Sequence, residues 1–472
     1  MKIKNMKSFI TKNLNSLLLL IFLTIVNANI GSAQNFQDND SLTIRRIFDE
    51  ALLNGECGPN LKFLTSQIGA RISGSENAQK AVEWAKETME KIKPDTVYLQ
   101  EVMVPHWVRG DKEIASFTIP AGESIFMDVC ALGGSVRTNG TLKTEVVEVQ
   151  SMEELKALPN EKIQNKIVFF NRSMDPREIE TFKAYIGAVD QRTLGAIEAS
   201  RRGAVGALVR SLTLAKDDIP HTGALNYDLE VKKIPAAALS TNSADRLSKA
   251  LKSNPNLIFS LKMNCEQLPD VLSYNVIGEI KGSKYPNEII TIGGHIDSWD
   301  LSESASDDGT GLVQTIEALR LIKKSGIRPK RTFRAILYMN EESGADGGKK
   351  YASLARLANE EHIAVIESDA GGFTPRGFRI DASPEVKAKI AKWNHLFVPY
   401  KVDDIQPNQR GVDLVPMKSL AKALISLDCD DQRLFDIHHS SLDTFDKINI
   451  REVELGAASM TSLALLIMKY GL

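Results

Sequence analysis

Cysteine is scarce: Cys57, Cys130, Cys265 and Cys429 are the only four in 472 residues, and they are widely scattered. No CxxC pair or metal-knuckle spacing occurs, which excludes a zinc finger, a thioredoxin-type redox motif and a dense disulfide scaffold. No particular disulfide is expected, and none of the four is expected to be a nucleophile. Charge of one sign is also lacking. Lys and Arg number 58, four of them in the first 33 residues, against 60 Asp and Glu. A mildly acidic mature chain has no electrostatic reason to seek nucleic acid or an anionic membrane. Beyond the N-terminus no apolar run reaches the 18 residues that a membrane span requires, and no repeat or low-complexity tract is visible.

The N-terminus carries Lys2, Lys4, Lys7 and Lys12, then the apolar run Leu17–Val26, then Gly31-Ser32-Ala33. A charged start, a short apolar middle and small residues before a cut are the marks of a secretory signal. Residues 1–33 therefore read as a signal peptide cleaved after Ala33, and the mature protein as secreted or periplasmic, with no membrane segment. The remaining chain of roughly 440 residues is long enough for two domains.

Apolar residues recur at helical spacing over Ser41–Leu53 (Ile44, Ile47, Phe48, Ala51) and Asn77–Ile92 (Ala78, Ala81, Val82, Ala85, Met89). From about Phe117 to Lys262 the texture changes to Gly-rich turns and short β-like runs such as Lys166–Phe170 and Ala204–Arg210. Beyond Ser273 strands and helices alternate, with strands expected at Ile289–Ile292, Thr332–Tyr338, Ile363–Glu367 and Ala423–Leu427 and a closing helix at Arg451–Tyr470. Such alternation predicts an α/β fold, a mostly parallel sheet flanked by helices, with residues 34–116 and 263–472 forming one domain and 117–262 a mainly β insert.

Ligands of such sheets collect beyond the carboxyl ends of the strands. The richest stretch, GGHIDSWDLSESASDDGTG at Gly293–Gly311, begins at one such end, and Glu341-Glu342 and Asp369 follow two others. His295 offers an imidazole, Asp297 stands two residues on where it could brace that ring, and Asp307 offers a carboxylate beside a Gly-rich helix start. This nitrogen and carboxylate mixture suits zinc. Two adjacent glutamates can divide the labour of metal-assisted hydrolysis, one binding metal and the other moving a proton. Each piece taken singly also reads as a helix cap or a solvated strand end. Their joint, ordered occurrence carries the functional reading.

With GGHIDSWD, SDDGTG, NEESG, ESDAGG and HHSSLDT in this order, the chain from about Ala70 onward resembles the di-zinc exopeptidase family of carboxypeptidase Q (plasma glutamate carboxypeptidase) and related bacterial zinc aminopeptidases. The resemblance implies a zinc-exopeptidase catalytic domain interrupted by a protease-associated domain. It further implies two Zn2+ bridged by Asp307, one completed by His295 and Asp369, the other by Glu342 and His439, with Glu341 as the general base and Asp297 as the brace. Asp307 is preferred to Asp308 as the first residue of a D-x-x-S/T-G pattern, and His439 to His438 because it stands four residues before Asp443. His221, in the stretch PHTG, and Asp413, in GVDLVP, are implied as substrate or pocket residues. The expected partner is a peptide substrate, of dipeptide or short-peptide length, and a homodimer is suggested by the relatives. An aminopeptidase on the same metals, a glutamine cyclase and a non-catalytic receptor on the same fold are the rival readings. The chain departs from its relatives in the loop Leu301–Ser306, where Ser302 and Ser304 stand for glycines and Glu303 adds a carboxylate expected near the metals.

Overall fold

The computed structural model describes residues 39–119, 122–369 and 371–472. The expected signal peptide lies outside them. The chain opens with a helix over residues 39–54 and another at Glu76–Ile92. The second helix starts where the Ser75 hydroxyl accepts the Ala78 N–H, and stops at Lys93 in the left-handed region. Its Ala78, Ala81, Val82, Ala85 and Met89 stripe is fully buried, as the spacing predicts.

Eight strands form the first sheet: β1 (Thr96–Val108), β2 (Glu266–Ile280), β3 (Tyr285–His295), β4 (Arg331–Tyr338), β5 (Glu361–Glu367), β6 (Pro375–Ala382), β7 (Asp404–Pro407) and β8 (Ala423–Cys429). Their order is β1-β2-β4-β3-β5-β8-β6-β7. The centre, β4-β3-β5-β8, is parallel, whereas β1 and β2 pair antiparallel with their neighbours and β6 pairs antiparallel with β8 and parallel with β7. The parallel strands are buried on both faces. Along β4, Phe333, Ala335 and Leu337 face the core beneath the helices Gly311–Lys324 and Ile450–Tyr470, while Ile336 and Tyr338 pack against Tyr351, Ala352 and Ala355 of the helix Asp346–Leu357. Helices on both faces are what continuous Val/Ile/Leu strands require. The helix Ile450–Tyr470 is long and apolar enough to cross a membrane by composition, yet 83% of its apolar window is buried inside the protein.

A second eight-stranded sheet is built from residues 114–262, starting three residues before the expected boundary. Its parallel centre, Leu142–Val149, Ile167–Phe170, Gly206–Arg210 and Ala236–Leu239, has its own apolar clusters and is flanked by helices including Thr241–Ser253. The chain enters this unit from β1 and returns through β2, and those two strands pair side by side from Thr96 opposite Glu279 to Val108 opposite Glu266.

Candidate active site

The parallel strands aim their carboxyl ends at one edge. His295 is the last residue of β3, Glu341 and Glu342 open a short helix three residues beyond β4, and Asp369 stands two residues beyond β5. His438 and His439 lie on the segment that follows β8. The helix Gly311–Lys324 can approach the end of β5 only because residue 311 is glycine: a Cβ there would lie 2.0 Å from the Ser368 carbonyl oxygen.

Asp307 sits at the centre of these groups. Its Oδ1 is 3.3 Å from His295 Nε2, and its Oδ2 is 3.1 Å from His439 Nε2. Asp369 Oδ1 lies 3.7 Å from the same nitrogen of His295, and Glu342 Oε2 lies 3.1 Å from that of His439. The five residues thus divide into two triplets that share one carboxylate. Asp308 also lies close to His295 and Asp369, with its oxygens accepting the main-chain N–H groups of His295 and Gly311.

These donors fit a metal better than they fit one another. His295 Nε2 and Glu342 Oε1 are buried without a hydrogen-bond partner, in a molecule where such orphans are costly. Burial pushes the carboxyls of Asp369 and Glu342 above the usual carboxylate range, and crowding with Asp307 adds to it. Cations would relieve both the orphaned atoms and the repulsion. Oxygen and imidazole donors, three to a triplet, are the set that hydrolytic zinc takes while keeping a position open.

The surrounding atoms hold this set in place. His295 Nδ1 lies 2.9 Å from the main-chain carbonyl of Asp297, which can only accept, so the proton is on Nδ1 and Nε2 is free to bind metal. Asp297 thus meets the ring through its backbone carbonyl, with its carboxylate oxygen 3.7 Å from the same Nδ1 and accepting the N–H groups of Glu341 and Glu342, at 3.0 and 3.3 Å. Glu341 Oε2 lies 3.9 Å from His295 Nε2. Burial, with Asp369, Glu342 and Asp413 nearby, raises the proton affinity of the Glu341 carboxyl well above normal.

Three supporting residues escaped the sequence reading, and a fourth, His438, entered it only as the alternative to His439. Asp443, which served there only as a spacing marker, accepts the N–H groups of Ser306 and Asp307 and so fixes the shared carboxylate. Arg71 is fully buried and donates to the carbonyls of Gly69, Ile296, Glu303 and Ser304, locking the loop ahead of Asp307. His438 stacks on His439 with ring centroids 3.6 Å apart. Arg192, contributed by the insert, lies in the cavity wall. Nothing in local periodicity marks any of them.

The loop Leu301–Ser306 uses its unusual residues for its own geometry. Ser304 adopts φ +48°, the region that favours glycine, and is held there by the Ser302 hydroxyl accepting its N–H and by its own hydroxyl donating to the Trp299 carbonyl. The Glu303 carboxylate, expected near the metals, accepts the Phe445 N–H. His221 does reach the site, but its Nδ1 is 2.7 Å from the His438 carbonyl while the Thr222 N–H donates to the His439 carbonyl, so this insert loop props the histidine pair from behind. Asp413 has no exposed surface; it accepts the Gly348 N–H, and burial foremost raises its carboxyl to about 8. The four cysteines are buried and unpaired.

A cavity of about 530 Å³ opens over the donor groups, walled by the insert's Phe182, Tyr185 and Arg192 together with Arg410, Val412 and Phe435, of which Phe435 stacks on Tyr185 and Arg410 lies over the Phe182 ring. Arg410 is committed to Glu180 and Asp428. Arg192 is 7% exposed, its Nε has no hydrogen-bond partner, and it rests over the Tyr185 ring at 5.4 Å. Among the described residues no carboxylate lies within ion-pair distance of it.

Residues 275–463, which contain every one of the five donors, match the sequence profile of peptidase family M28. The chain is 36% identical over 385 residues to carboxypeptidase Q of Xenopus laevis, covering 81% of this chain and 80% of that protein. The chain belongs to peptidase family M28. Carboxypeptidase Q of Homo sapiens is 33% identical over 399 residues, covering 84% and 82% of the two chains. The crystal structure of a peptidase M28 precursor from Shewanella amazonensis superimposes with a TM-score of 0.86 at 31% identity, covering 91% of this chain and 97% of that one. This M28 chain is a metallo-exopeptidase that acts on peptides, and zinc is the metal its donors suit.

Proposed function

We propose that the protein is a di-zinc carboxypeptidase or dipeptidase that recognises the free C-terminal carboxylate of short peptides. In this reading Asp307, His295 and Asp369 would hold one ion, and Asp307, Glu342 and His439 the other. Two zinc ions there would supply Lewis-acid activation of water and of the scissile carbonyl. Glu341 takes the proton of the attacking water and passes it to the leaving amine, a role that suits a buried carboxyl of raised proton affinity. Its position is fixed from behind by Asp297, so base and metal ligand move as one unit.

The observation that carries the choice of peptide end is Arg192. A buried guanidinium without a carboxylate partner is costly in a free protein, and it becomes an asset when a ligand brings the carboxylate. The wall of the cavity around it is aromatic and apolar, which suits an uncharged side chain beside that carboxylate. An aminopeptidase would instead present an uncommitted acid to the substrate ammonium group; the acids lining this cavity are all assigned to metal or base. The names of the curated relatives support the same end.

The test is a panel of one peptide in free, N-acetylated and C-amidated forms. Hydrolysis of the free and N-acetylated forms with poor turnover of the amide supports the reading. Preference for the amide with a free N-terminus would replace it with an aminopeptidase.

A further inference from the structure

A second cavity, about 600 Å³ and larger than the one over the donor groups, lies away from the peptidase site. It is enclosed by the helix over residues 39–54, the end of the helix Gly311–Lys324 with the loop that follows it, and the last turns of the helix Ile450–Tyr470. The helix Gly311–Lys324 has 14 residues, a length of about 21 Å, and its other end adjoins Asp307 and Asp308. The two cavities therefore sit at opposite ends of one helix.

The wall of this second cavity is apolar. Ile44, Ile47, Leu321, Leu465, Leu466 and Met468 line it, all of them buried. Its hydroxyls are mostly committed: Thr43 Oγ1 donates to the Asn39 carbonyl and Ser325 Oγ to the Ile322 carbonyl. Ser462 Oγ, fully buried, has no hydrogen-bond partner. A peptide would bring a main-chain donor and acceptor with each residue and find little in this wall to meet them. An alkyl chain asks for no such partners.

The mouth is basic. Arg46, Lys324, Arg328, Lys330 and Lys469 border it against two acids, Asp40 and Glu50. Both acids are already engaged, Asp40 by Lys469 Nζ at 2.5 Å and the Tyr470 hydroxyl at 2.6 Å, and Glu50 by Arg320 at 2.8 Å. Among the described residues no carboxylate lies within ion-pair distance of Arg46, Lys324 or Arg328, all three of which are exposed. A lysine in the last turn of a helix, as Lys324 is, offsets the helix dipole. Arg46, on another helix, and Arg328, on a loop, have no such local reason to meet it at one opening.

We propose that this cavity binds one molecule of a free long-chain carboxylate, with its alkyl chain against the apolar wall and its carboxylate among Arg46, Lys324 and Arg328. The volume is that of a small-molecule site, apolar inside with a few polar groups that fix orientation. Charge complementarity selects the head and the wall selects the tail. A recess closed by three helices suits a single chain rather than the flat face of a bilayer. This site goes beyond the peptidase reading and does not rest on it.

The test is calorimetric titration of the mature protein with octanoate, decanoate and dodecanoate below micelle-forming concentrations, beside decanol, which keeps the chain and lacks the charge. Dodecanoate should bind one molecule per chain, with affinity rising roughly two- to fourfold for each added methylene along the series. Decanol should bind at least about tenfold more weakly than decanoate. The combined variant Arg46→Glu, Lys324→Glu and Arg328→Glu reverses the exposed rim and leaves the wall intact. It should weaken dodecanoate at least about tenfold and leave decanol binding unchanged. No saturable binding of dodecanoate, or equal affinity in the reversed variant, would overturn the proposal. Binding to phosphatidylglycerol vesicles with none to monomeric dodecanoate would make the rim a membrane contact and overturn it as well. So would a protein that binds dodecanoate only after Phe36→Ser, since residues 34–38 directly precede Asn39 at the cavity and would then be its occupant.

Discussion

The main-chain N–H of Glu341 donates to Asp297 Oδ1 over 3.0 Å, and Asp297 in turn accepts the ring proton of His295 at its own carbonyl. One residue therefore sets both the base and a metal ligand, and the two roles can be separated by substitution. Glu341→Gln preserves the backbone donor and the side-chain volume but cannot take up a proton. It should bind zinc as wild type does and lose roughly 10²–10⁴ in kcat. Metal analysis beside steady-state kinetics checks this, and a mutant as active as wild type would remove Glu341 as the base.

Arg192→Gln should separate recognition from chemistry. Replacing the guanidinium removes a charge-assisted partner worth about 2–5 kcal/mol when desolvated. KM for peptides ending in a free carboxylate should rise at least about 30-fold, with turnover of C-amidated peptides unchanged. Equal losses on both substrate forms would assign Arg192 to the packing of Tyr185 instead.

Arg71→Met should expose how much the loop depends on one buried cation. Four carbonyls would lose their donor, each at about 1–3 kcal/mol if left unsatisfied in the interior. The expected result is a loss of at least about 3 kcal/mol in unfolding free energy, read by denaturant titration, with zinc bound more weakly because Ser304 and the approach to Asp307 are no longer held. A change below about 1 kcal/mol would show that water replaces the guanidinium.

Glu454 gives a pH signature away from the metals. Burial first, and the neighbouring Glu317 second, raise its carboxyl to about 7 from 4.5. The folded protein therefore holds this proton more tightly than the unfolded chain does. Its contribution to stability is full below about pH 4.5 and falls as pH rises to about 7. Around it, Glu317 is paired with Arg320, which also binds Glu50, and Cys57 offers its N–H to Glu454 Oε1. Glu454→Gln keeps that acceptor and cannot ionise, so its melting temperature should exceed that of wild type at pH 8 and converge with it near pH 5. Parallel curves across that range would show that Glu454 is ionised throughout.

The sequence made the strand-end placement legible because it is local: apolar runs end, and His295, Glu341 and Asp369 come next. All four expected strands, and the helices at residues 39–54, Glu76–Ile92 and Ile450–Tyr470, are present within a few residues of their expected limits. The choice between Asp307 and Asp308 rests on a resemblance, and the structure adds that the Asp308 oxygens accept two main-chain N–H groups. The supporting residues were hidden for a physical reason. Arg192 and Arg71 act across folds of the chain far from the motifs, so no spacing announces them. Ser304 looked like an awkward substitute for glycine, and the hydroxyls that make it tolerable are visible only once the loop is closed.

The pairing of β1 with β2 means that the insert's two ends leave the catalytic sheet as neighbours. A host protein closed there by a simple hairpin turn could accept a whole folded module in one step, because its own ends are already together and the entropy of joining them barely depends on what hangs between. The module then had to carry only a few residues to the site, such as Arg192 to the cavity wall and His221 behind the histidine pair. Acquisition of peptide-end preference by gene insertion, with the hydrolytic machinery left untouched, is the history this arrangement permits.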